Sequence, residues 1–403
     1  MTTGAVFRKV TPLLLTAMLT AGCVTPMPTQ HQAALGRVAV IAAPQDPEIS
    51  FDGLGRGELA AEGIGCLSFL LALVAPPVAA AAFARCAAFV GIVTAAPPSE
   101  DGIQAAGKQA VTDTQTIQAA LQSQVAAAMH SHGARVAGIP LERAQRAAQS
   151  RDYRQFSAEG VDTVLETTVT RLGTRSMGSR TPPGLLTDPP LLLYMQARVR
   201  LIRTADNTEL LTREYEYNGR RRKQSEWVAA GKDILREVEA GYQPLGAYIS
   251  DTVFLLYAFS DQSTLAGLGG LGLAPIGRGA LGEFVDTLQP TLRWESFPRQ
   301  HDLTWSSAEM ARVKDVSYEL IVAEAEYGVP AAIVYRRELS ESAHQIETTL
   351  SPMKHYFWTV RARFQLDGRQ RVTEWAAMRA GESSSGAVAP PALGYQFLTR
   401  SSK

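Results

Sequence analysis

The sequence predicts an α+β protein, with a domain of helices and strands followed by a second domain of short strands. Residues 112–132 repeat apolar side chains at every fourth position, which is the period of a helix with one buried face. Residues 193–201 and 209–217 alternate apolar and polar side chains on either side of a polar turn, which predicts an antiparallel hairpin. After residue 285, short strand patterns recur at regular spacing, which is typical of a β-sandwich.

The composition is that of a globular chain without an excess of either charge. Hydrophobic residues make up 46% of the 403 residues and charged residues 19%, which excludes an intrinsically disordered protein. The 39 basic residues equal the 39 acidic ones, and without a basic surplus nucleic-acid binding is not expected. Three cysteines are too few for a disulfide scaffold or a four-cysteine zinc site.

The first residues have the pattern of a secretory signal. Arg8 and Lys9 form a short basic region, and an apolar run over residues 10–19 follows it. Small residues then stand directly before Cys23. This order of a basic, an apolar and a small-residue segment predicts export from the cytoplasm.

Residues 19–23, Leu-Thr-Ala-Gly-Cys, resemble the lipobox of bacterial lipoproteins. The resemblance implies cleavage after residues 1–22 and acylation of Cys23, which would hold the protein to the membrane. Val24 stands where an Asp would resemble an inner-membrane retention signal, so the resemblance implies the outer membrane, with the protein facing the periplasm. Residues 23–35 are rich in Thr, Pro and Gln and predict a flexible tether.

An apolar insert at residues 63–96 interrupts the first domain, which we place at residues 36–258. Residues 63–84 contain no charged side chain. Pro76 and Pro77 stand near the middle of this run, and proline breaks the hydrogen-bond ladder of a helix. The pattern therefore predicts two short helices that fold back on each other rather than one straight membrane span.

Cys66 and Cys86 lie on opposite arms of this predicted hairpin. If Cys23 is acylated, these two are the remaining cysteines, and an oxidising periplasm would allow a disulfide between them. Three locations for the hairpin stay open. It could pack inside its own domain, insert into or lie on the membrane, or form a contact between copies of the chain.

The rest of the first domain predicts the order β–α–(β–α)–β–β–β–α, with an antiparallel sheet and helices on one face. Strand patterns occupy residues 36–44 and 161–172, and a helix runs from 227 to about 240 before Pro244 interrupts it. This arrangement resembles periplasmic α/β lipoprotein domains of the penicillin-binding-protein activator and curli secretion-channel types. The resemblance covers residues 36–257, with the apolar insert as a departure from the activator type.

A basic run follows the predicted hairpin. Arg220, Arg221, Arg222 and Lys223 are consecutive, and four positive charges could bind an anionic lipid or an acidic partner. The alternative is a solvated loop before a helix.

A Gly-rich stretch at residues 259–284 predicts a linker, and residues 285–380 form the predicted sandwich. Within it, residues 350–358 resemble the Leu-x-Pro-x-x-x-Tyr corner of fibronectin type III domains. The resemblance implies that the Tyr356 hydroxyl bonds to backbone upstream, and that the domain is a binding or spacer module. Residues 381–403 predict a mobile tail. The predicted inward-facing residues are Leu292, Trp294, Tyr318, Leu320, Val322, Tyr356, Trp358, Val360 and Ala362.

We find no catalytic signature and expect no enzyme activity, no cofactor and no metal. The G-x-S-x-G and H-E-x-x-H patterns are missing from the sequence. His130 and His132 are two positions apart, where helical side chains do not share a face. We therefore expect a non-catalytic cell-envelope lipoprotein that binds a protein partner in envelope assembly or transport. The alternative is an oligomeric outer-membrane secretion or pore component that uses residues 63–96.

Overall fold

The structure is a computed structural model. Cys23, Cys66, Cys86 and the insert 63–96 lie outside the residues that it describes, so the lipid anchor, the disulfide and the hairpin stay predictions. Within the described part of the chain, no helix combines the length and apolar character needed to cross a membrane. The described residues are 35–51, 114–176, 190–229, 231–257, 273, 276, 281–305, 307–324, 331–376, 387–388 and 395–401.

Strands and helices alternate in the first half of the chain, and short strands dominate the second. The helices are α1 (Thr114–Ser131), α2 (Leu141–Ser150), α3 (Gln224–Ala229), α4 (Gly231–Ser250), α5 (Gln300–Trp305) and α6 (Ser307–Met310), with a 3₁₀ turn at Arg154–Glu159 and a π-helical turn at Asp251–Leu255. The first strands are β1 (Arg37–Ala42), β2 (Glu48–Phe51), β3 (Arg135–Ala137), β4 (Thr163–Ser176), β5 (Pro190–Arg203), β6 (Thr208–Lys223), β7 (Leu281–Val285) and β8 (Thr291–Arg293). The later strands are β9 (Val313–Glu324), β10 (Ala331–Leu339), β11 (Ala343–Gln345), β12 (His355–Leu366), β13 (Arg369–Val372), β14 (Ala387–Val388) and β15 (Tyr395–Thr399).

The first sheet is mixed, not antiparallel as predicted. Its order in the described residues is β14-β6-β5-β4-β1-β3, and β2 also pairs with β4. Strands β4, β5 and β6 are antiparallel neighbours, whereas β1 runs parallel to both β3 and β4. The physical reason is the length of the connections, because long helical crossovers join β1 to its partners and allow them to run parallel.

Helices cover both faces of the first sheet, so the prediction of helices on one face is wrong. On one face, α1 and α4 pack over a core that contains Leu121, Val125 and Met129, three residues of the predicted helical stripe. On the other face, α2 lays Ala144 and Ala147 against the far side of β1. The apolar residues of the predicted alternation in β5 are all buried, namely Leu193, Met195, Ala197, Val199 and Leu201. Leu191, Leu192, Gln196 and Ile202 of the same strand are buried as well.

Helix α4 continues through Pro244 to Ser250, although Pro244 was expected to interrupt it. Proline lacks one backbone donor, but Leu245 and Ile249 beyond it are fully buried against the sheet. Packing of this apolar face outweighs the missing hydrogen bond.

The second half of the chain forms a six-stranded sheet with the order β10-β9-β12-β15-β7, in which β13 pairs with β12, and the separate pair β8–β11. Trp294 and Trp358 are buried in the core of this unit, as predicted. The hydrogen bond predicted for the Tyr356 hydroxyl is also present, because this oxygen accepts from the Ser351 backbone N–H at 2.9 Å.

The prediction of a mobile tail from residue 381 is wrong for the described part of that segment. Strand β15 lies inside the second sheet, between β12 and β7. Its alternate residues Tyr395, Phe397 and Thr399 are buried. Their burial explains why so short a strand stays paired within the second sheet. The preceding strand β14 instead pairs with β6 of the first sheet. A fragment that ends at residue 380 therefore lacks part of the core of the second unit.

Charged groups connect the two units. Arg361 of β12 places its Nη2 atom 2.5 Å from Oδ2 of Asp251, in the π-helical turn after α4. Nη1 of Arg371 donates a hydrogen bond to the backbone oxygen of Phe254 at 3.0 Å. Arg361 is 3% exposed, so this contact is shielded from solvent.

We expect the substitution Glu374→Gln to raise the free energy of unfolding above about pH 7 and to leave it nearly unchanged near pH 4. Burial raises the pKa of Glu374 to about 8, and the charges of Arg213 and Arg299 oppose this only in part. The pKa of Glu374 is higher in the folded than in the unfolded protein. The carboxyl group therefore contributes stability in full below its unfolded pKa, and this contribution is lost as the pH rises toward 8. The loss amounts to at most about 1.4 kcal/mol per pH unit.

Urea unfolding of both proteins across pH 4–9 measures this difference. The substitution Glu338→Gln, at an exposed acid in the same unit, is the control and should give parallel curves. Parallel curves for Glu374→Gln would contradict the expectation.

Candidate binding groove

A groove with a volume of about 820 Å³ lies on the outer face of the first sheet. Strands β4, β5 and β6 form its floor, and the end of α2 and the loop after β1 form its rim. Because α2 covers only one end of this face, the polar side chains of the three long strands face the groove. The charged lining residues are Arg151, Glu166, Arg198, Arg200, Glu209, Arg213 and Glu214.

Glu166 is the buried acid of the groove. The Tyr153 hydroxyl donates to its Oε2 atom, and Nη1 of Arg200 lies 3.1 Å from its Oε1 atom. Burial, together with the neighbouring Glu166 carboxylate, raises the pKa of Tyr153 well above its usual range. The phenol therefore stays protonated and acts as a permanent donor to Glu166. Both carboxylate oxygens are thus engaged.

The other two glutamates of the lining also have donors. Oε2 of Glu209 accepts from Nε of Arg200 at 2.8 Å, and its Oε1 accepts from the Thr212 hydroxyl at 2.6 Å. Nη2 of Arg198 donates to Oε1 of Glu214 at 3.0 Å. A general base needs an available carboxylate oxygen within reach of a substrate, and these contacts occupy most of them.

Arg151 is placed at the rim by an unusual backbone conformation. Its φ angle is 52°, in the left-handed region that few residues other than glycine adopt. Asn207, in the β5–β6 turn, holds this geometry, because its amide nitrogen donates to the Arg151 carbonyl at 2.8 Å and its amide oxygen accepts from the Tyr153 N–H at 3.0 Å. The Arg151 side chain is exposed and forms no hydrogen bond or ion pair with any other described residue.

The structure does not bring the predicted basic run into this groove. Residues 220–223 are the last four positions of β6, so the alternative of a loop is wrong; pairing with β5 extends the hairpin beyond its predicted end. Arg222 already lies 2.7 Å from Glu237 and stacks over the Trp227 ring. Lys223 is exposed, and the side chains of Arg220 and Arg221 lie outside the description.

His132 contributes to the contact between the units. Its Nε2 atom lies 2.8 Å from Oδ1 of Asp251, the carboxylate that also binds Arg361. Among the described residues, no group of three or more histidine, cysteine or acidic side chains could hold a metal ion.

The groove residues were missed in the sequence. The alternation of β5 predicts that Arg198 and Arg200 share the polar face of their strand. It does not show which glutamates they meet, because that depends on the register with β4 and β6. The left-handed conformation of Arg151 leaves no signal in the sequence, since Arg is not a residue type that favours it.

No family model matches the chain, and no curated protein matches it. Three solved structures match part of this chain. Lipoprotein GNA1162 from Neisseria meningitidis is 18% identical, with 30% of this chain and 87% of that chain covered and a TM-score of 0.19. The PelC dodecamer from Paraburkholderia phytofirmans is 14% identical, covering 32% of this chain and 76% of that chain, with a TM-score of 0.15. Protein XCC0632 from Xanthomonas campestris, of family DUF330, is 16% identical over 30% of this chain and 63% of its own, with a TM-score of 0.17. Scores this low support no statement about activity.

Proposed function

We propose that this chain is a non-catalytic lipoprotein of the cell envelope, anchored to the outer membrane through acylated Cys23, that binds a partner protein in the groove of the first sheet. The groove carries the proposal. Its glutamates are held by neighbouring donors, while Arg198 and Arg200 keep N–H groups that no described residue accepts. Such a surface is suited to recognition rather than to proton transfer. The lipobox-like sequence before Cys23 supports the anchor, which would raise the effective concentration of weak contacts at the membrane.

We infer that the second unit is a fibronectin type III-like module that supports the first. The pairing of β10, β9, β12 and β15 in one sheet and of β8 and β11 in another supports this assignment, as does the hydrogen bond between Tyr356 and Ser351. The strong ionic contact between Asp251 and Arg361 would keep the two units in one orientation.

Site-specific photo-crosslinking in cells tests the proposed function. A photoreactive phenylalanine replaces Thr212, which is exposed and lines the groove. The matched control is the same replacement at Thr208, which is exposed on the same strand but does not line the groove. We expect one defined protein adduct from position 212. Its yield should be at least tenfold lower from position 208, and it should also fall when Cys23→Ala removes the anchor.

Equal labelling from the two positions, or none, would contradict the proposal for the groove. Mass spectrometry of the mature N-terminus tests the anchor separately. An N-terminus at another residue, or an unmodified Cys23, would contradict acylation.

A further inference from the structure

We propose that the groove binds an extended segment of the partner that carries Asp or Glu at alternate positions, with Arg198 and Arg200 as the two central contacts and Arg151 at the rim. This inference rests on the proposed function, since it states the chemistry that the partner must bring.

The balance of donors and acceptors in the groove is the first argument. All three glutamates of the lining accept at least one hydrogen bond from a neighbour. A guanidinium group carries several N–H donors in a fixed fork. Among the described residues, Arg200 uses only Nε and Nη1, and Arg198 uses only Nη2. The groove therefore has spare donors, and a complementary ligand must bring acceptors, of which carboxylates make the strongest hydrogen bonds to arginine.

The rim of the groove adds one more exposed donor to those of Arg198 and Arg200. On the groove face, three arginines (Arg151, Arg198 and Arg200) stand against three glutamates, because Arg213 pairs with Val199 and its side chain lies on the opposite face near Glu374. The Arg151 side chain makes no hydrogen bond with a described residue, although its charge acts on Glu209, and its backbone is fixed by Asn207. The Arg151 side chain lines the groove and can therefore donate to a ligand bound there.

The spacing of the arginines favours an extended segment over a single small anion. Arg198 and Arg200 are two positions apart on the same face of β5, so their Cα atoms are about 7 Å apart. Alternate side chains of any extended peptide have the same period. Two acidic side chains with this period therefore match the two arginines one to one.

Calorimetric titration of the full mature protein tests the inference. The ligand is an acetylated peptide of three Glu-Thr repeats, and the comparison ligands are the same peptide with Gln in place of Glu, and inorganic phosphate. We expect the Glu peptide to bind at least tenfold more tightly than the Gln peptide, and its affinity to fall as salt increases.

Variants locate the contact. Arg198→Gln and Arg151→Gln are each expected to weaken binding of the Glu peptide by about tenfold, the effect of losing one charge-assisted hydrogen bond. Both side chains are exposed, so the fold should tolerate the changes, and circular dichroism checks this. Arg135→Gln, an exposed arginine on β3 outside the groove, is the control and should leave binding unchanged.

The outcomes separate this inference from the proposed function. Equal binding of the Glu and Gln peptides, phosphate binding as tight as that of the Glu peptide, or equal losses for Arg135→Gln would each overturn it. If the Glu peptide does not bind while position 212 still yields its protein adduct, the acidic segment is wrong and the proposed function stands. If neither is observed, both fall.

Discussion

The substitution Arg361→Ala is expected to destabilise the protein by about 3–5 kcal/mol, the cost of removing one partner from a buried ionic network. Arg361 is 3% exposed and binds two carboxylates, with Nη2 at 2.5 Å from Asp251 and Nε at 2.6 Å from Glu319. Glu319 is fully buried. Removal of the guanidinium leaves Asp251 with His132 alone and takes from Glu319 one of its two nearest counter-charges, the other being Arg363 at 2.6 Å. Carboxylates that lose a counter-charge cost far more in a protein interior than in water.

The matched control is Arg312→Ala. Arg312 also forms an ion pair, with Asp367 at 2.6 Å, but both side chains are about half exposed. Exposed pairs contribute about 0–1 kcal/mol. Urea unfolding at pH 7, followed by tryptophan fluorescence and circular dichroism, measures both variants. If Arg361→Ala costs no more than Arg312→Ala, the network does not hold the two units together.

The pH dependence of the same network has a definite sign. Burial alone would raise the pKa of Asp251, but the charge of Arg361 and the hydrogen bond from His132 outweigh it and lower the pKa to about 2. A carboxyl group with a lowered pKa stabilises the fold above its unfolded pKa of about 4, and this contribution is lost as the pH falls toward 2. Arg361→Ala should therefore lose less stability than the wild type between pH 4 and pH 2.

The elements predicted best from the sequence are those whose periodicity is local. The stripe of α1 and the alternation of β5 repeat within one element, so a short window of sequence contains the whole signal. The parallel pairing of β1 with β4 is different, because its partners are far apart in the chain. Val38 lies beside Thr163, and nothing near either residue specifies the other. Strand β15 was missed since its five residues follow a Gly- and Pro-containing stretch.

The contacts within the groove could not be predicted from the sequence for the same reason. That Arg198 and Arg200 lie on the polar face of a strand could be predicted, but their partners Glu214 and Glu166 come from two other strands. Register across a sheet depends on the packing of the buried face, which in turn depends on α1 and α4. The contact of His132 likewise could not be predicted from its neighbours in the sequence. Its partner Asp251 lies 119 positions further along the chain.

The substitution Trp358→Ala is expected to cost about 3–5 kcal/mol, as for other large aromatic residues removed from a core. Trp358 is 1% exposed, and its ring lies 6.3 Å from that of Trp294 and 5.6 Å from that of Tyr395. Tyr395 belongs to β15, so the ring also fixes the last described strand in the second sheet. Truncation to alanine leaves a cavity between strands whose backbones are held by hydrogen bonds, and such a cavity collapses only in part.

The neighbouring substitution Tyr356→Phe provides the contrast within the same strand. It keeps the ring, which stacks on Phe397 at 5.4 Å, and removes only the oxygen that accepts from the Ser351 N–H. The expected cost is about 1 kcal/mol, the net contribution of one hydrogen bond. Urea unfolding of the full chain, followed by circular dichroism so that the lost tryptophan does not change the signal, compares the two. If Trp358→Ala costs no more than Tyr356→Phe, ring packing does not hold β15 against β12, and hydrogen bonds between those strands would have to supply the stability instead.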